Sequence, residues 1–414
     1  METSTHFDAC LKCSLCTEHC PVSRVLPSFP GPKQLGPDHE RWRLETGAYA
    51  DANLSLCTGC QRCEMACPSG VKITALIQGA RNRSRQRRKL GDRYIADTDL
   101  LGRLGALAPG AANFATGLKP VRLAMQGLLG LSARRPLPRF TRRPYRVDPR
   151  HRAPAGSRSV VFFMGCYARY YDPDLADAVV AVLEYNGFQV IIPKQECCGL
   201  PLLANGFPEK AGEKAACNLA HLDEYTRAGI PVVAVDPSCA LMLKADYQEL
   251  LGEKAAAFGA QVHELGAFLR GLWEEGELNL DFGPLDETLA YHEPCHLRPL
   301  GTGRPFVEVL RLIPGLRVAE LDEGCCGMAG TYGMKARNLE TSLAVGHPLF
   351  HKVREMGTRV ITECEMCMMQ IQFGTGMEAL HPIKILRNAY AAGIPAVAST
   401  NERKEDLTCE HQLG

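Results

Sequence analysis

The chain has 414 residues, 46% of them hydrophobic, enough for two or three packed domains and too apolar for a disordered chain. Nineteen cysteines would suit a disulfide-stapled secreted protein, but the number is odd, the residues cluster, and a chain this long needs no staples. The net charge of +1 hides an asymmetry: residues 81–150 hold 17 Lys/Arg against 4 Asp/Glu, and the remainder holds 30 against 42.

The opening stretch, "METSTHFDAC", has neither a basic start nor an apolar core, so no secretion signal is expected. A reduced cytoplasmic compartment with metal-bound thiolates follows as the expectation. "CLKCSLCTEHCP" then gives Cys10, Cys13, Cys16 and Cys20 followed by Pro21, and "CTGCQRCEMACP" gives Cys57, Cys60, Cys63 and Cys67 followed by Pro68. The spacing C-x2-C-x2-C-x3-C-P is that of two-cluster ferredoxins, in which the fourth cysteine of each run serves the other cluster. Cluster I therefore takes Cys10, Cys13, Cys16 and Cys67, and cluster II takes Cys57, Cys60, Cys63 and Cys20. Zinc also accepts four thiolates, but zinc sites come as two CxxC pairs rather than three evenly spaced cysteines plus Cys-Pro. Between the runs, "LGPDHERWRLETGAYADANLSL" reads as helix with a break at Gly47, so a helical ferredoxin-type domain is expected over 1–80. Lys12 and Arg62 lie within the loops, where a cation would favour the reduced form of a negatively charged cluster, or would only be solvated.

Residues 81–155 form a basic, partly helical linker, opened by "RNRSRQRRKL" and closed by "RRPLPRFTRRPYR". Its longest uncharged apolar run, Leu104 to Leu118, contains Pro109, Gly110 and Gly117 and falls short of the ~20 residues a membrane span needs. Basic and apolar residues mixed in this way suit docking on the acidic remainder of the chain, contact with another subunit, or contact with an anionic membrane surface.

After residue 155 strands and helices alternate. "SRSVVFFMGC" reads as a buried strand ending at Cys166, "DPDLADAVVAVLEYNGF" as a helix closed by Gly187, and "QVIIPKQECCG" as a strand delivering Cys197, Cys198 and Gly199. A helix over about 208–228 precedes the strand "IPVVAVDPSC", which ends at Cys239. The pattern returns with "TLAYHEPC" to Cys295, "RPFVEVLRLI" as helix, "LRVAELDEGCCG" to Cys325, Cys326 and Gly327, a helix over about 335–356, and "TRVITECEMC" with Cys364 and Cys367. Matching cysteine to cysteine gives offsets of 129, 128 and 125 residues, an internal duplication over 156–285 and 286–400, followed by a polar tail 401–414 with Cys409. Alternation of strand and helix predicts a parallel sheet, and such sheets gather ligands beyond the carboxyl ends of their strands. The second copy offers five thiols, Cys295, Cys325, Cys326, Cys364 and Cys367. The first offers four, Cys166, Cys197, Cys198 and Cys239, because Met242 stands three positions after Cys239. A five-cysteine centre is expected only in the second copy; the first would hold zinc, a simpler cluster or no metal. His292 and His296 flank Cys295 as donors or ligands, and Cys217 reads as a core residue.

The two ferredoxin runs, "PGPKQLGPD", "CPSGVKI" and the paired Cys-Cys-Gly blocks with "YHEPCH" resemble the family of anaerobic glycerol-3-phosphate dehydrogenase C subunits over nearly the whole chain. The cysteine code alone is shared with glycolate and lactate oxidase iron–sulfur subunits and with the B and C subunits of heterodisulfide reductase. The resemblance implies two [4Fe–4S] clusters and an α/β class: an α-helical ferredoxin domain followed by a duplicated parallel cysteine-rich domain. In the heterodisulfide reductase relatives the five-cysteine block holds a noncubane [4Fe–4S] cluster, which here would fall on Cys295, Cys325, Cys326, Cys364 and Cys367. It further implies electron transfer from a flavin-containing catalytic subunit to the membrane quinone pool in anaerobic respiration, at the inner face of the cell membrane. Alternatives are a glycolate or lactate oxidase subunit, a thiol/disulfide redox subunit, or a zinc docking platform. No flavin or NAD is expected on this chain: "GTG" at 301–303 runs into Arg304-Pro305 instead of the x-x-G of a dinucleotide fingerprint. No nucleic-acid partner is expected.

Overall fold

The computed structural model describes residues 7–47, 52–83, 90–142, 145 and 158–390. The tail with Cys409, the basic run 84–89 and most of the residues between Arg142 and Arg158 lie outside the described residues.

Two parallel four-stranded sheets form the carboxyl-terminal half. The first comprises β1 (Arg158–Phe163), β2 (Phe188–Ile191), β3 (Val232–Ala234) and β4 (Val262–Glu264), in the order β2-β1-β3-β4. The second comprises β5 (Glu287–Tyr291), β6 (Leu316–Glu320), β7 (Val360–Ile361) and β8 (Ala379–Leu380), in the order β6-β5-β7-β8. Val160, Val161, Phe162 and Phe163 of β1 are all buried, as a parallel strand covered on both faces requires. The apolar run of β1 is therefore continuous rather than alternating. The two edge strands β4 and β8 are additions to the sequence reading, which foresaw three strands per copy.

The helices Pro173–Tyr185 and Pro382–Ala389, one from each copy, pack together, and a single apolar cluster runs from Phe162 and Val179 through Leu289 and Phe306 to Ile383. The two copies thus share one core. The architecture is the expected α/β class, a helical amino-terminal region followed by a duplicated parallel domain.

In both sheets the order reverses beside the central strand, between β1 and β3 and between β5 and β7. Open α/β sheets bind ligands outside the strand ends at such a switch point. Cys166 follows β1, and Cys239 lies just beyond β3; Cys295 follows β5, and Cys364 and Cys367 lie beyond β7.

The helical domain rests on both copies. Arg81 Nη1 donates to the Ala204 carbonyl at 2.8 Å, Gln78 Nε2 to the Leu203 carbonyl at 2.5 Å, and His296 Nε2 lies 3.2 Å from the Gly59 carbonyl oxygen. The linker is a chain of short helices, Leu90–Ala96, Thr98–Leu107, Pro109–Gly117 and Lys119–Leu129. Pro109, at the start of the third, divides the apolar run into separate helices.

Among the described residues, acids of the linker as well as a cation tie it to the repeats. Its few acids do much of the bonding: Asp99 accepts from the Cys197 amide at 2.6 Å and from Lys214 Nζ at 3.0 Å, and Asp92 pairs with Lys335 at 2.7 Å. Among the described residues only Arg134–Glu340 joins a linker cation to an acid of the repeats. Leu131 forms an antiparallel bridge with Lys335, seating the end of the linker on the second copy.

Candidate metal centres

Cys10, Cys13, Cys16 and Cys67 line one cavity, the crossed set that the ferredoxin spacing predicts for cluster I. Its wall is built by the two stretches that carry the family resemblance. "PGPKQLGPD" forms the wide helical turn Gln34–Asp38, and Gly36 packs so closely that a Cβ there would meet Ile73 Cγ2 of "CPSGVKI" at 2.9 Å. Lys33, Val71 and Ile73 are part of the lining, and Lys33 Nζ donates to Ser14 Oγ at 3.0 Å. The cation at this cavity is therefore Lys33; Lys12 is exposed.

Cys20 lies close enough to Cys57, Cys60 and Cys63 to act electrostatically on each. Burial pushes the Cys57 thiol up to about 11 and the Cys60 thiol up to about 12. These thiols are protonated at neutral pH unless a cation takes the proton's place.

The two loops share one backbone path. Lys12 and Ser14 have φ of 56° and 65°, and the matching Gly59 and Gln61 have 67° and 57°. Left-handed residues other than glycine cost of order 1–3 kcal/mol each and persist where the surroundings demand them. A bulky group wrapped by three thiolates supplies that demand, so the residues present fit an iron–sulfur cluster.

In the second copy the thiols form a connected set. Cys326 and Cys367 Sγ stand 3.1 Å apart, Cys295 is hydrogen-bonded to Cys325, and Cys364 to Cys367. Hydrogen bonds from Cys325 and Cys367 lower Cys326 to about 6. His292 brings a ring nitrogen within 4.8 Å of both Cys326 and Cys367 Sγ; it is 1% exposed, and among the described residues neither nitrogen has a hydrogen-bond partner. Burial, reinforced by Arg62 and Arg298, lowers it to about 3, which leaves a neutral imidazole. Of the two histidines flagged in the sequence, His292 faces the sulfurs and His296 turns to Gly59.

The first copy repeats the arrangement. Cys166 and Cys197 are hydrogen-bonded, as are Cys197 and Cys198, and Cys198 and Cys239 Sγ are 3.5 Å apart. This geometry corrects the sequence alignment of the copies. Strand partners show that Val232 in β3 answers to Val360 in β7, since Val232 pairs with Val161 and Val360 with Ala290 at the same place on the central strands. The offset is then 128, so Cys239 answers to Cys367 and Asp236 to Cys364. Asp236 and Cys364 are also the residues that cap the following helices. The fifth thiol is replaced by Asp236, not by Met242. The Asp236 carboxylate accepts from the Ser238 amide at 2.5 Å and is hydrogen-bonded to Glu365 of the other copy.

The sites are neighbours. Cys60 interacts with both Cys295 and Cys325, and the Arg62 guanidinium lies among these three, hydrogen-bonded to Cys295. Cys364 in turn acts on Cys239. Arg62, which the sequence left as cation or solvated residue, bridges the helical domain to the second copy. Cys217 is half-buried on the helix Pro208–Arg227, rather than fully in the core.

Residues 6–71 match the family described as 4Fe-4S dicluster domain, and residues 160–244 and 289–372 match the family described as Cysteine-rich domain. These matches indicate iron–sulfur clusters. The chain is 41% identical over 395 residues to the C subunit of the anaerobic glycerol-3-phosphate dehydrogenase of Escherichia coli K12, covering 94% of this chain and 99% of the relative. It is 26% identical to the probable glycolate oxidase iron-sulfur subunit of Bacillus subtilis, covering 90% and 89%. It is 24% identical to the B subunit of the fumarate reductase (CoM/CoB) of Methanothermobacter marburgensis, covering 91% and 70%. With iron–sulfur domains over both halves and that identity across almost the full length of the Escherichia coli relative, the chain belongs to the family of anaerobic glycerol-3-phosphate dehydrogenase C subunits.

Proposed function

We propose that this chain is an electron-transfer subunit that receives electrons from a flavin-containing catalytic subunit, with glycerol 3-phosphate as donor, and delivers them towards membrane quinone. Cys10, Cys13, Cys16 and Cys67 hold one [4Fe–4S] cluster, and Cys57, Cys60, Cys63 and Cys20 a second. Cys295, Cys325, Cys326, Cys364 and Cys367 hold a third, noncubane cluster, and the first copy, with Cys166, Cys197, Cys198 and Cys239, holds zinc or no metal. When bound, these groups accept and release single electrons. The protein's part is to space and screen them. The observation that carries the reading is the continuity of the thiols: Cys60 beside Cys295 and Cys325, and Cys364 beside Cys239.

The test is dye reduction by the chain purified with its native partners. Turnover with glycerol 3-phosphate, and little with glycolate or lactate, is expected. Turnover with glycolate alone would transfer the chain to the glycolate oxidase type. Disulfide reduction by the isolated, prereduced chain would replace the relay with a thiol/disulfide reductase.

We further propose that the linker is the membrane contact, peripheral to the inner face of the cell membrane. Leu107 and Leu128 are each 82% exposed and Phe114 71%, and Arg103 and Lys119 are exposed among them. No described helix is long and apolar enough to cross a membrane. Exposed apolar and basic side chains together match an anionic lipid surface. Replacing Leu107 and Leu128 together with Glu is expected to reduce binding to anionic vesicles more than tenfold, since each leucine contributes roughly 1.5–3 kcal/mol when buried. Unchanged co-sedimentation would remove the linker from the membrane.

A further inference from the structure

Arg135 belongs to the linker and yet is among the most deeply buried large side chains described, at 1% exposure. Its setting is unusual for a cation. Nη1 donates to Gln370 Oε1 at 2.5 Å and Nη2 to Ser342 Oγ at 3.4 Å, both uncharged partners. The guanidinium carbon lies 4.8 Å from the centre of the Phe373 ring, and among the described residues Nε has no hydrogen-bond partner. Among the described residues no carboxylate forms an ion pair with it. The acidic group that does act on it is the Cys326 thiol.

A guanidinium without a counter-ion in such a place is costly enough that buried charges are normally paired or set against a metal centre. The linker does not bring Arg135 here by accident of packing. Ser132 N donates to the Met334 carbonyl at 2.8 Å, Ala336 N donates to the Gly130 carbonyl at 2.8 Å, and Arg122 binds the Arg135 carbonyl. These bonds clamp the segment onto the second copy. Gln370 Nε2 bonds back to the Ser342 carbonyl and hydroxyl at 3.3 and 3.2 Å, so both acceptors are themselves fixed.

We infer that Arg135 is the counter-charge of the five-cysteine centre, a positioning residue that sets its reduction potential from the linker side. This rests on the reading that the second copy holds a redox centre. A group held by several thiolates carries net negative charge, and reduction adds one more. A fixed cation in a low-dielectric site stabilises the reduced form and raises the potential. Arg62 flanks the same set from the helical domain, so the centre is held between cations from two other parts of the chain.

The experiment is a redox titration of the third centre's EPR signal in the anaerobically purified full chain. It compares the native protein with Arg135→Gln, Arg135→Lys and Gln370→Glu. Arg135→Gln is expected to lower the reduced-to-oxidised ratio at fixed potential by roughly tenfold, about 59 mV for one electron. Arg135→Lys is expected to restore most of the loss. Gln370→Glu, which keeps the packing and gives Arg135 a carboxylate, is expected to shift the potential in the same direction and decides the matter if Arg135→Gln does not assemble. A third centre whose potential is unmoved in Arg135→Gln and in Gln370→Glu overturns the inference alone. A native chain with only about eight irons overturns the reading beneath it, and the inference falls with that reading.

Discussion

Gly327→Ala is expected to strip the iron from the second copy while leaving the helical domain loaded. Gly327 follows the Cys325-Cys326 pair at φ +86°, a left-handed conformation that costs a Cβ-bearing residue roughly 1–2 kcal/mol by itself. The larger effect is steric. A Cβ would overlap the Ser342 carbonyl oxygen and crowd the Gly346 amide, both backbone atoms of the helix Leu339–Met356. No side chain can yield there; the helix must move off the Cys-Cys turn. Together these place the substitution near the upper end of single-residue effects, about 4 kcal/mol or more, a large part of a typical domain's stability. The same helix carries Ser342, one of the two residues that hold Arg135.

Iron per chain is expected to fall from about twelve to about eight, with the ferredoxin-type signals intact. Gly199→Ala makes the internal control. It has φ +92°, but its Cβ would stand 3.2 Å from the Ala211 carbonyl, close rather than overlapping, so a loss of roughly 1–2 kcal/mol is expected. Full iron content and an unchanged melting temperature in Gly327→Ala would contradict this account of the turn.

What the sequence showed follows from what is local. Runs of three cysteines with two residues between neighbours stand out because the pattern is written into neighbouring residues. The strands β1 and β5 declare themselves because buried parallel strands are unbroken apolar runs. β4 and β8 did not: "VHE" and "AL" are too short, and too polar around them, to carry a period, and only pairing with β3 and β7 defines them. Arg135 was hidden for a different reason. It is one of 17 basic residues in a segment read as a charged surface, and only burial separates it from the rest. Lys33, likewise, lies between the cysteine runs, and the turn of "PGPKQLGPD" brings it to the cluster I cavity.

The register of the duplication was within reach, because one offset of 125 residues stood out from 129 and 128. Restoring 128 places Asp236 where the second copy has Cys364, and this yields the second prediction. Asp236→Cys is expected to give the first copy a five-thiol set and to add about four irons per chain, with a second signal resembling that of the other copy. The substitution exchanges one helix-capping side chain for another residue type already found at that place, Cys364. Its cost is the lost acceptor for the Ser238 amide, about 1 kcal/mol. Glu365 also loses its partner, though burial, the largest cause that raises its pKa above the usual carboxylate range, is left in place. Met242→Cys, the substitution that cysteine-to-cysteine matching would recommend, is expected to add no iron. Met242 is fully buried, its methyl group 3.5 Å from the place of a Gly199 Cβ, and shortening it opens a cavity at roughly 1–3 kcal/mol. Iron and zinc counted together on both variants separate the two alignments. Added iron in Met242→Cys and none in Asp236→Cys would return the fifth position to Met242. Added iron in Asp236→Cys alone would mean that one carboxylate, at the cap of one helix, is what keeps the two copies chemically different.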